Sequence, residues 1–130
     1  MAYGRTVMIQ GTVEDAIPRV KQALKTEGFG VLTEIDVQAT LREKIGEETT
    51  PFVILGACNP RLAHRALQAE PALGLLLPCN VVVREHGDGV EVSAIDPQVM
   101  VEFSESPEIP AIADEVSRLL DAALERVVSG

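Results

Sequence analysis

Two short runs of strand character, residues 80–85 and 90–95, are separated by only His86-Gly87-Asp88-Gly89. Parallel strands need a crossover of about a dozen residues or more, so four residues can join only antiparallel neighbours. The two glycines suit such a turn, because they take positive φ at little cost. Upstream, residues 31–37 alternate with a period of two, Val31, Thr33, Ile35 and Val37 on one side and Leu32, Glu34 and Asp36 on the other, which predicts a strand with one wet face. Residues 52–57 are apolar on both sides and predict a central strand covered on both. A strand over residues 3–10 precedes these. Adjacent strands without full crossover helices imply an α+β fold, two layers deep, with a mainly antiparallel sheet of about five strands.

Helix signals fill the gaps. Thr12 caps a helix whose apolar positions are Val13, Ile17, Val20 and Leu24, with Pro18 removing one internal donor and Gly28 as the stop. A short helix over residues 40–45 is ended by Gly46. Asn59-Pro60 starts another, running to about Ala69, because asparagine accepts from free amides and proline suits the first helical position. Asp96-Pro97 and Ser106-Pro107 repeat that logic. The last helix places Ile112, Val116, Leu119, Ala123 and Val127 on one face, with Asp114, Arg118, Asp121 and Glu125 outside. The N-terminal helix and this long C-terminal one are expected to pack on the sheet, with short helices inserted around the third strand. No linker or repeat divides the chain, so residues 1–130 read as a single domain, and that length suffices to bury roughly two thirds of the unfolded-state surface.

Composition narrows the function classes. Only Tyr3, Phe29, Phe52 and Phe103 are aromatic, too few for base stacking or a sugar platform. The formal charge of −9 repels phosphate backbones and anionic membrane surfaces, and Lys and Arg occur singly rather than in runs. Neither nucleic acid nor membrane is therefore an expected partner. The first fifteen residues contain no apolar run fit for a signal peptide, and the expected location is the cytosol. In that reducing compartment two cysteines read as free thiols, metal ligands or redox groups before they read as a disulfide.

Those cysteines, Cys58 and Cys79, are each followed by asparagine and flanked by proline. Cys58 precedes the helix cap Asn59, where free backbone amides favour a thiolate. Cys79 follows Pro78 and enters the next strand. If the strands ending at Ala57 and starting at Asn80 pair antiparallel, the two thiols converge on one cleft at the edge of the sheet. Asn80 adds a polar group of a kind depleted in strands. His64 lies on the first turns of the following helix, and two Cys with one His fall short of a metal set without Asp96 or Met100. The spacing matches no zinc, phosphate-loop or triad pattern.

Taken together, GFGVLTEIDV (28–37), ILGACNP (54–60), LLLPCNVVV (75–83) and AIDPQVM (94–100) resemble the bacterial and archaeal family catalogued as domain of unknown function 302. The resemblance runs in order along nearly the whole chain. It implies a bent antiparallel sheet flanked by helices, similar to the fold of the TATA-binding protein, and a homodimer. Its shared motifs fall here on Cys58, Asn59, Pro60, Pro78, Cys79, Asn80, Asp96 and Pro97. Such a fold does not license DNA binding, since function resides in the site. An uncovered sheet edge would give the dimer its physical motive.

The expectation is thus a cytosolic homodimeric binding module, not an established enzyme, with a pocket for a small molecule or unidentified cofactor near Cys58 and Cys79. Its candidate residues are Cys58, Asn59, Pro60, His64, Pro78, Cys79, Asn80 and Asp96. Two alternatives stay open: thiol redox or soft-metal handling through Cys58 and Cys79, and a structural domain whose cysteines are inert and buried.

Overall fold

The hairpin forms as its turn demands. In a computed structural model that describes residues 3–130, the two strands Cys79–His86 and Gly89–Ile95 pair antiparallel with Val83 opposite Val92, and Gly87 takes a φ of 60°. In chain order the elements are β1 (Gly4–Ile9), α1 (Val13–Thr26), β2 (Gly30–Asp36), α2 (Val37–Ile45), β3 (Phe52–Cys58) and α3 (Pro60–Ala69). A 3-10 turn (Pro71–Leu76), β4 (Cys79–His86), β5 (Gly89–Ile95), α4 (Gln98–Phe103) and α5 (Ile109–Ser129) follow. The sheet order is β1-β5-β4-β3-β2, and all four pairings are antiparallel. The α+β architecture is therefore as the sequence implies: α1 links the two edge strands, and the short helices lie around the third strand.

One sheet face carries the core. Val53, Leu55, Ala57, Cys79, Val81, Val83, Val90, Val92 and Ala94 are buried there at alternating positions. They belong to one cluster with Val20 and Leu24 of α1 and Ile112, Val116, Leu120, Ala123 and Val127 of α5. Leu120 and Leu124 are buried where the helical spacing favoured Leu119, which is half-buried. The caps hold these helices at their starts: Asp15 N–H donates to Thr12 Oγ1 at 3.1 Å and Leu62 N–H to Asn59 Oδ1 at 3.3 Å.

The other sheet face is open, and this corrects two expectations. On β3 the outward Ile54 is only half-buried, so the strand is covered on one side and not on both. Its neighbours there are Val82 of β4 and, further across the sheet, Ser93 of β5 and the exposed Met8 of β1. Cross-strand pairs tie this face, Thr6 with Ser93 at 2.8 Å and Arg84 with Glu91 at 2.6 Å. β2, predicted to have one dry face, is an edge strand with both faces largely wet: Leu32 is 67% and Ile35 47% exposed. Its register shifts between Val31 and Thr33, so the period of two is broken inside the strand.

Two helix starts also move. α2 begins at Val37, three residues early, because Asp36 Oδ1 accepts from Ala39 N–H at 2.9 Å and turns the strand directly into a helix. α5 begins at Ile109 with Pro110 in its first turn, whereas Ser106 holds only a local turn through Glu108 N–H at 3.5 Å.

Candidate functional site

Strand pairing brings the cysteines together. Antiparallel register sets Ala57 opposite Cys79, and Cys58 is the next and last residue of β3, where the chain turns into α3. Both thiols line one cavity with Asn59 and Pro78, as the convergence of strand ends predicts. Both are free. The remaining wall is apolar, with Phe29 after α1, Leu62 and Ala66 of α3, and Met100 of α4 among its residues. Ile112 and Val116 of α5 close it from the helix layer. The enclosed space is small, about 30 Å³.

Local chemistry explains the walls. α1 stops because Gly28 adopts a φ of 88°, which lets Phe29 N–H reach back to Leu24 O at 2.9 Å and Gly28 N–H to Lys25 O at 3.0 Å. That reversal delivers Phe29, 2% exposed, to the cavity. A side chain at Gly28 would come within 3.0 Å of Asn59 Nδ2, so the glycine is also what lets the α3 cap lie close. Gly56 plays the same part on the sheet: an added Cβ would overlap Thr33 Oγ1 and lie 2.9 Å from Pro78 Cγ.

The two thiols differ in setting. Cys79 is 7% exposed, and burial, with a lesser contribution from Cys58, pushes its thiol up to about 11. At neutral pH it is a protonated, weakly nucleophilic group. Cys58 is half-buried at the head of α3. Asn59 is committed through its oxygen to capping that helix.

Four of the eight candidates do not line the cavity. Asn80 is exposed because consecutive residues of a strand face opposite ways, so placing Cys79 inward turns Asn80 out, opposite Gly56. Pro60 is exposed at the first position of α3 and borders a separate groove with Arg61 and Arg65. His64 is exposed on α3. Asp96 accepts from Gln98 N–H at 3.0 Å and lies 3.8 Å from Arg5, which serves the α4 turn and the β1 edge. Of the other lining residues, Met100 was named only as a possible further metal ligand and Phe29 was not singled out at all. Their signals were the Asp96-Pro97 turn and the Gly28 stop, which place them at element ends. Among the described residues, no group of three or more His, Cys, Asp or Glu converges as metal ligands do, and no helix is long and apolar enough to cross a membrane.

Comparison with known proteins agrees with this architecture. The family model "Domain of unknown function DUF302" matches residues 5–127. A crystal structure of an uncharacterized conserved protein DUF302 from Bacillus stearothermophilus is 33% identical, with a TM-score of 0.90 over 98% of this chain and 99% of that one. No curated protein matches.

Proposed function

The chain belongs to the DUF302 family, and we propose that it is a cytosolic, homodimeric binding module that takes a small molecule or cofactor into the cavity between Cys58 and Cys79. The observation that supports this is the cavity itself: apolar walls from four elements with a few polar groups at fixed positions, the usual composition of a small-ligand site. Two unlinked thiols on paired strands suit a reducing compartment. The open sheet face, with Met8, Ile54 and Val82 around the neutralised Arg84–Glu91 pair, is a surface that a second copy can cover without adding charge repulsion. No catalytic step is part of the reading.

Native mass spectrometry of protein purified under reducing conditions, followed by denaturation of the same sample, tests it. The expected result is a dimer carrying extra mass that denaturation removes. A bare protein would oppose the binding reading, and a monomer would oppose the assembly.

A further inference from the structure

We infer that the ligand of this cavity is a soft monovalent metal ion, Cu(I), held by the sulfur atoms of Cys58, Cys79 and Met100. The inference rests on the reading that the cavity is the binding site, and it names the chemistry of the occupant.

Sulfur is concentrated here. The chain has two cysteines and three methionines, and three of these five residues line one cavity. Each comes from a different element: Cys58 from the end of β3, Cys79 from the start of β4, and Met100 from α4. Met100 is 5% exposed and Cys79 7%, so two of the three groups are withheld from water. Register pairs Ala57, the residue before Cys58, with Cys79, and both cysteines line the one cavity.

Donor hardness selects the ion. No carboxylate lines the cavity among the described residues, so the oxygen-seeking cations Mg²⁺, Ca²⁺ and Mn²⁺ have no carboxylate ligands there. Zn²⁺ takes four ligands in closed sites, and this one offers three sulfurs. Thiolate and thioether together are the donor set preferred by Cu(I).

Charge balances without a further residue. Uptake replaces two thiol protons by one cation: Cu⁺ and two R–SH give a bis-thiolate complex of charge −1 and release two H⁺ to solvent, while the thioether stays neutral. The first amides of α3, which begins two residues after Cys58, carry the partial positive charge of a helix N-terminus and offset that single negative charge. Oxidation states do not change.

The test is anaerobic titration of the full reduced chain with Cu(I) against the chelator bicinchoninate, read by loss of the chelate colour and by sulfur-to-Cu(I) absorption in the ultraviolet. One ion per chain is expected. Cys79→Ala should weaken uptake by more than about 100-fold, and Met100→Leu, which keeps the volume and the fold, by about tenfold. Circular dichroism of each variant confirms that it is folded. Failure to withdraw Cu(I) from the chelator would overturn the inference, as would uptake indifferent to Met100→Leu. The binding reading stands or falls separately: a native dimer with an organic mass and no Cu(I) uptake leaves it intact, whereas a bare protein with no uptake removes both.

Discussion

Raising the pH should weaken this protein through Cys79, by an amount the structure sets. The thiol is shifted from 9.0 to about 11, first by burial and then by Cys58. Because the folded value lies above the unfolded one, folding is undisturbed below about pH 9, where both states are protonated. Above that the unfolded chain releases a proton that the folded chain retains, and stability falls by about 1.4 kcal/mol per pH unit. The loss is about 1.4 kcal/mol at pH 10 and approaches about 2.7 kcal/mol once the pH has passed the folded value near 11.

Urea unfolding followed by circular dichroism, at about pH 8 and about pH 10 in the presence of a reductant, measures this. All side chains but one are common to both chains, so the quantity to compare is the pH dependence of the native chain against that of Cys79→Ala. Those other groups act equally in both chains. The alanine chain is less stable throughout, because the buried sulfur is lost, but its stability should fall by about 1.4 kcal/mol less between the two conditions. Parallel losses in the two chains would refute the placement of Cys79 in a water-poor cavity beside a second thiol.

Two further substitutions examine the supports of the site. Gly56→Ala places a Cβ against Thr33 Oγ1 and 2.9 Å from Pro78 Cγ, and should cost about 1–3 kcal/mol in urea unfolding; adding Thr33→Ala should recover part of that, and a native midpoint for the single variant would contradict the close approach. Asn59→Ala removes the α3 cap and should cost about 1 kcal/mol by the same assay, with no loss indicating that the cap carries no weight.

The sequence was most legible where one local rule decides the outcome. The four-residue turn at residues 86–89, the Thr12 and Asn59 caps and the Gly28 and Gly46 stops each answer a demand of the backbone that no tertiary contact overrides. Legibility fell where the outcome depends on a neighbour. Alternation in residues 31–37 shows which side chains share a side, but whether a layer covers that side depends on β2 being an edge strand, and the break at Val31 and Thr33 leaves no local mark. Asp36 could be read as a strand residue until its carboxylate is seen capping α2. Met100 and Phe29 entered the cavity through packing between α4, α1 and the sheet, which a one-dimensional pattern does not encode.

The similar surroundings of the two cysteines have a geometric origin that also bears on assembly. A strand that ends in a helix cap and a strand that starts after a proline both need residues that stop regular pairing, and antiparallel register lays those two ends side by side. Alternation along β4 then separates two surfaces: Cys79 and Val81 face the helices and the cavity, while Asn80 and Val82 face the open side. A pair formed through the open side, as proposed, would leave the cavity on the outer, helix-bearing layer of each copy. Ligand entry and dimerisation therefore do not compete for surface, and substitution of Val82 by a charged residue should separate the copies without altering what the cavity holds.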